Sequence, residues 1–170
     1  MKLTAREIAT FGILGSMMYA SKLALEFLPN IHILAPFIVS MTVVYRKKAL
    51  FPIYIYVFLL GLFSGFAPWW IPNLYIWTVL WGMAMLIPKS TSEKALPFLY
   101  TFICALHGLL YGTIYAPAQA LLFGLSFKGM IAWIIAGLWF DIMHAIGNTC
   151  ASFLILPMIS VLRFCDKNKK

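Results

Sequence analysis

Charge is what this sequence has least of. Only 11% of its 170 residues are charged and just five are acidic, where an ordinary soluble domain is about 25% charged. With 63% hydrophobic residues, a soluble fold of this length could not hide its apolar surface. The composition therefore excludes a soluble domain and predicts one integral membrane domain over 1–170. Cysteine is scarce too. Cys104, Cys150 and Cys165 are odd in number and unpaired in spacing, which excludes a disulfide framework and a CxxC metal motif. There is no G-x-x-x-x-G-K-[ST], so the chain does not hydrolyse ATP through a P-loop of its own, and no H-E-x-x-H signature. No internal repeat is present. No cofactor, metal ligand set or catalytic motif is expected.

What is present is a series of apolar runs bounded by charge, Pro and Gly. A membrane helix needs about 20 apolar residues. The runs predict an all-α bundle of six transmembrane helices, at about 5–26, 31–45, 49–66, 68–87, 96–124 and 129–163. The last two exceed a single span and are expected to tilt or break, for example at Pro117. The second and third are short, which is tolerated where a helix packs in protein or lines a cavity. A cleaved signal peptide is the competing reading of "MKLTAREIATFGILGSMMYAS". Glu7 inside it, the missing A-x-A site and the later spans favour a retained first helix.

The net charge of +8 does not point to nucleic acid, because the basic residues sit in short gaps between apolar runs. With six spans, one side carries Lys2, Arg6, Arg46, Lys47, Lys48, Lys89, Lys94, Arg163, Lys167, Lys169 and Lys170. The other carries only Lys22 and Lys128. The positive-inside rule then makes both termini cytoplasmic.

Within the sixth run, "GLWFDIMHAIGN" places an aspartate, a histidine and an asparagine in a long apolar segment. At 100° per residue, Gly137, Asp141, His144, Asn148 and Ser152 fall within about 80° of one another. Trp139, Met143, Ile146, Cys150 and Leu154 take the far side. A carboxylate in a bilayer costs at least about 2.5–3.5 kcal/mol, so this stripe must face protein or a wet cavity. Two readings stay open: a ligand site, or a buried staple in which Asp141 pairs with His144 or another helix.

The fifth run carries His107, Tyr111, Tyr115 and Gln119 beside a small-residue ladder of Gly108, Gly112, Ala116 and Ala120, which favours close helix packing. The fourth opens "PWWIPNLYIW". Trp69, Trp70, Tyr75 and Trp77 around Asn73, with Trp133 in the same layer, suit either an aromatic belt or stacking on a planar ligand. Glu26, Asn30 and His32, beside a Pro29-Asn30 turn signal, either close over an outer cavity or form a solvated turn. On the first helix, Ala5, Ala9, Gly12, Ser16 and Ala20 recur every three or four residues, a smooth face for close approach of another helix. That helix belongs either to the bundle or to a partner protein.

These features together resemble the substrate-binding S components of energy-coupling factor vitamin transporters, bacterial six-helix membrane proteins of about this size. The resemblance is one of architecture, with loose motifs. It implies a protein of the bacterial cell membrane that binds a vitamin-like small molecule from outside and does no chemistry on it. It also implies partners, namely a shared transmembrane coupling subunit and two ATPase subunits. Ala9, Gly12, Ser16 and Ala20 would match the family's docking face, with Gly and Ser standing where Ala is more usual. Substrate would be held by Asp141, His144, Asn148, Gln119, Asn73, Trp70, Trp77, Trp133 and Tyr111. Asp141 favours a cation or hydrogen-bond donor, and the tryptophans an aromatic ring, which together suggest a neutral or cationic heterocycle. The alternatives are a membrane enzyme using Asp141 and His144 as an acid–base pair, and a proton-coupled transporter or channel working alone.

Overall fold

A computed structural model describes residues 2–28 and 30–167. Pro29 and the tail lysines Lys169 and Lys170 lie outside the described residues. Among those described, all regular structure is helical. The helices are α1 (Ala5–Ala24), α2 (Leu34–Tyr45), α3 (Leu50–Ser64), α4 (Asn73–Met85), α5 (Leu96–Leu109), α6 (Tyr111–Phe123), α7 (Phe127–Ala151) and α8 (Ile155–Lys167).

Local chemistry sets several of these ends. Thr4 and Glu7 form a reciprocal capping box at the start of α1, satisfying two orphan N–H groups. The Ser126 side chain accepts from Gly129 N–H at the start of α7. Gly65 (φ +94°) ends α3 and Gly124 (φ +65°) ends α6, where a side chain would be strained.

Three helical stretches are long and apolar enough to cross a membrane: Leu34–Ser64, Leu96–Phe123 and Phe127–Asp166. Large apolar side chains cover the outside of the bundle. Phe58, Phe63, Leu121, Trp139, Ile146 and Phe153 are all more than half exposed, a surface that suits lipid and not water. The first of the three stretches is not one rod. His32 and Tyr56 both pack against the Trp77 ring, yet 24 residues of straight helix would hold them about 36 Å apart. The chain reverses at Arg46, whose backbone takes φ 53°, ψ −120°.

The other two stretches are nearly continuous. The fifth expected helix is interrupted at Leu110 and not at Pro117, which sits inside α6. The interruption adjoins Gly112, whose N–H donates to Asp141 Oδ1 at 2.9 Å and is so diverted from the helical ladder. The sixth tightens into a short 3₁₀ turn at Ser152–Leu154. Pro157 lies just beyond, and its missing N–H and its ring disturb the preceding turn.

Contacts between helices define two ends of the bundle. At one, Lys48 Nζ meets Glu7 Oε1 at 2.6 Å, Arg46 donates to the Met85 carbonyl and Arg6 to the Cys165 carbonyl. At the other, Tyr115 donates to the Trp69 carbonyl and stacks on Trp133. We call these the basic end and the aromatic end.

Between them α2 forms the centre. Leu34 to Thr42 are all buried, the pattern of a helix enclosed on every side, and α2 packs against α1, α4, α5, α7 and α8. Its brevity is explained by this enclosure and by the connection that precedes it. Ile31 and the Asn30 carbonyl lie against Gly147 of α7, and the His32 ring meets His144 edge-on with centroids 4.6 Å apart. The connection thus runs back into the bundle and does not stay at its rim.

Candidate functional site

A cavity of about 490 Å³ opens at the aromatic end, a size suited to a small organic ligand. The start of α4 builds one wall. Asn73 donates to the Trp69 carbonyl at 3.3 Å and accepts from Trp77 Nε1 at 3.1 Å. This link satisfies the buried indole N–H and fixes the ring. Around Trp77 stand Tyr56 of α3, His32, His107 of α5 and Tyr111 of α6, each with its ring centroid within 6.0 Å. Tyr111 also lies 4.7 Å from His144 of α7. All three histidines of the chain therefore gather around one tryptophan and one tyrosine; His32 and His144 line the cavity, and His107 is buried behind its wall.

These histidines are incompletely satisfied. His107 Nε2 is hydrogen-bonded to the Ile76 carbonyl at 3.1 Å. His107 Nδ1, His32 Nδ1 and His144 Nε2 are buried without a hydrogen-bond partner, an uncommon condition for polar atoms in a folded interior. The histidines do not form a metal set: no group of three His, Cys, Asp or Glu among the described residues is arranged to hold an ion.

Among the described residues, charge reaches the cavity at its rim. Lys22 and Glu26 line it and are paired with each other across one helical turn. Tyr75 fastens α4 to α6 through the Ile114 carbonyl, and Tyr115 fastens α6 to the turn before α4 through the Trp69 carbonyl.

The residues singled out in the sequence divide into two groups. His144, Asn73, Trp77 and Tyr111 line the cavity. Asp141, Asn148, Gln119, Trp70 and Trp133 do not. Asp141 is 5% exposed and holds the Gly112 N–H, while its Oδ2 is buried without a partner. No hydrogen bond joins it to His144 among the described residues. Asn148 donates to the Cys104 carbonyl at 3.0 Å, tying α7 to α5. Trp70 donates to the Val57 carbonyl at 2.8 Å, tying the start of α4 to α3. Trp133 stacks on Tyr115 at 5.7 Å. Gln119 is half-buried on α6.

The glycine ladder is a packing seam. A Cβ on Gly108 would meet the Ala145 backbone at 2.8 Å, and one on Gly112 would meet the Asp141 carboxylate at 2.5 Å. Of the loop residues, Glu26, Asn30 and His32 all line the cavity. Tyr56 is a lining residue that the sequence does not single out, being one of two tyrosines in a mostly apolar helix.

The small-residue face of α1 lies outside the bundle. Ala9, Gly12, Ser16 and Ala20, with Ile13 and Met17, line a shallow groove on the surface. A Cβ on Gly12 would touch nothing within 4 Å, whereas one on Gly15 would meet the Pro52 carbonyl at 2.9 Å. The α1–α3 contact uses Gly15 and leaves the small-residue face free.

Comparison with protein-family models, with curated proteins and with solved structures finds no match to this chain.

Proposed function

We propose that this chain is the substrate-capture subunit of a membrane importer of the energy-coupling factor type, binding a small planar heterocycle in the cavity at the aromatic end. One observation carries the reading. The cavity base brings Tyr56, His32 and His144, from three segments, around Trp77 and Tyr111, together with His32 Nδ1 and His144 Nε2, which lack protein partners. A planar ligand with its own donors and acceptors would stack on those rings and satisfy those atoms.

The charge pattern narrows the ligand class. Asp141, the one carboxylate in the interior of α7, serves the Gly112 backbone, and the rim charges Lys22 and Glu26 neutralise each other. A neutral heterocycle fits this lining better than a cation, and vitamin-like molecules belong to that class. The protein does no chemistry on it.

In this proposal the chain spans a bacterial cell membrane six times with both termini cytoplasmic. The excess of Lys and Arg at the basic end supports that orientation. The free face of α1, formed by Ala9, Gly12, Ser16 and Ala20, meets a transmembrane coupling subunit, with two ATPase subunits supplying the energy. Small residues permit the close helix approach such docking needs.

Mass spectrometry of small molecules released from the purified protein tests the capture reading. A heterocycle retained by the parent and lost from Tyr111→Ala is expected. Uptake of that molecule in cells lacking any ATPase partner would overturn the importer assignment.

A further inference from the structure

A second polar cavity lies at the basic end, between the ends of α2, α4, α5 and α8. Its volume is about 320 Å³. Arg46, Lys89 and Arg163 line it, with buried Tyr100. No carboxylate lines it. Of the acids nearest in sequence, Asp166 lines a different cavity with Arg6 and Tyr45, and Glu93 lines neither. Glu7 and Glu26 are paired elsewhere, with Lys48 and Lys22, so the three cations line the pocket with no carboxylate among the described lining residues.

Arg46 is held there at a cost. Its backbone sits at φ 53°, ψ −120°, the first central position of a type II′ turn, where glycine is the usual residue. Strain of this kind persists only where the surroundings enforce it. Here the Arg46 carbonyl accepts from Trp81 Nε1 at 3.1 Å, and its guanidinium donates to the Met85 carbonyl at 3.2 Å. A guanidinium has five donors, so this one anchor leaves the others for a ligand. Leu86, 82% exposed, and half-buried Ile87 and Leu96 border the site. The cations thus stand beside apolar surface.

We propose that Arg46, Lys89, Arg163 and Tyr100 form a binding site for a phosphate group, presented by the headgroup of an anionic phospholipid. Three cations around a pocket that opens beside apolar surface suit a phosphodiester whose acyl chains lie along the bundle. The site is separate from the aromatic cavity and stands whichever ligand that cavity takes.

The test uses the full chain in nanodiscs of phosphatidylcholine containing a minor share of phosphatidylglycerol, followed by detergent extraction and mass spectrometry of the lipid retained. Arg46 also holds the turn, so the working variant is Lys89→Gln/Arg163→Gln, which alters two exposed side chains. Retention of phosphatidylglycerol should fall roughly thirtyfold, taking about one decade or less for each cation. The control is Lys47→Gln/Lys94→Gln, which removes equal charge from the same end outside the pocket and should leave retention unchanged. Equal losses in both variants, or no loss in the first, would overturn the site. A parallel arm adds inorganic phosphate to protein in phosphatidylcholine alone. Thermal stabilisation there that disappears in the first variant supports the phosphate site but assigns it to a soluble phosphate when phosphatidylglycerol is not retained. Absence of both retention and stabilisation sinks the proposal.

Discussion

At the aromatic end of this bundle the polar groups are neutral, ring-borne and turned inward. At the basic end they are cationic and stand near the surface. Desolvation accounts for the difference. An ionised group taken into an apolar interior loses several kcal/mol of hydration unless it is paired, so an inward-facing site assembled from this sequence uses imidazole, phenol, indole and amide. At the basic end Lys and Arg reach water or headgroups along their own stems, and three of them can line one pocket with no carboxylate among the described lining residues. The two ends should therefore respond independently to substitution.

The largest separation is expected from Tyr111→Ala. Its ring packs on Trp77, His107, Tyr115 and His144, so its loss opens the base of the aromatic cavity. Truncating a central aromatic anchor costs about 2–4 kcal/mol of binding, or roughly thirty- to a thousandfold in affinity. Ligand retained by the purified protein should fall by that factor, while phosphatidylglycerol retention stays at the parent level. Tyr111→Phe keeps the ring and should lose only the hydroxyl contribution of about 0.5–1.5 kcal/mol. Parallel losses at both ends would mean that Tyr111 supports the whole bundle and not one site.

A smaller effect is expected at Asp141, and it falls on the frame. Asp141→Leu strands the buried Gly112 N–H, which costs about 1–3 kcal/mol and should lower the midpoint of thermal unfolding in detergent. Asp141→Asn retains an acceptor and should lose much less. Ligand affinity in Asp141→Asn should stay within roughly threefold of the parent, below the effect of one neutral hydrogen bond. A large loss of affinity with unchanged unfolding would return Asp141 to the ligand site.

This aspartate also marks how far the sequence could be read. The wheel through Gly137, Asp141, His144 and Asn148 holds for its polar members: Asp141, His144 and Asn148 are all buried, and Trp139 and Ile146 are exposed, but Gly137 is half-exposed and a Cβ there would touch nothing within 4 Å. The wheel cannot say what meets the stripe. Two of its polar members end on backbone, Asp141 on Gly112 N–H and Asn148 on the Cys104 carbonyl, and only His144 lines the cavity. Backbone partners leave no mark in a composition or a spacing. The same limit hid the break at Leu110, since Pro117 was the visible candidate. Tyr56 was hidden because its α3 neighbours are apolar on all sides. The connection through Asn30 and His32 was visible as polar, but its path back to Gly147 depends on a tertiary contact with a glycine more than a hundred residues away.

The smallest expected effect concerns the rim of the aromatic cavity. Lys22 and Glu26 are the charged residues lining it among the described residues and they face each other, with Glu26 more than half exposed. An exposed pair one turn apart contributes about 0.3–0.5 kcal/mol, so Lys22→Met/Glu26→Gln should barely change unfolding. For a neutral ligand the double variant should bind within roughly twofold of the parent, because that difference corresponds to less than half a kcal/mol. The single variants are more informative. Lys22→Met leaves Glu26 unpaired and adds net negative potential at the mouth; Glu26→Gln does the reverse. A cationic ligand would bind more tightly to the first and less tightly to the second, and an anion would show the opposite order, each fading as salt is raised. Near-equal affinities in all three variants, at low and high salt, are the signature of a neutral ligand. Any ordered split between the single variants would show that charge recognition is not confined to the basic end.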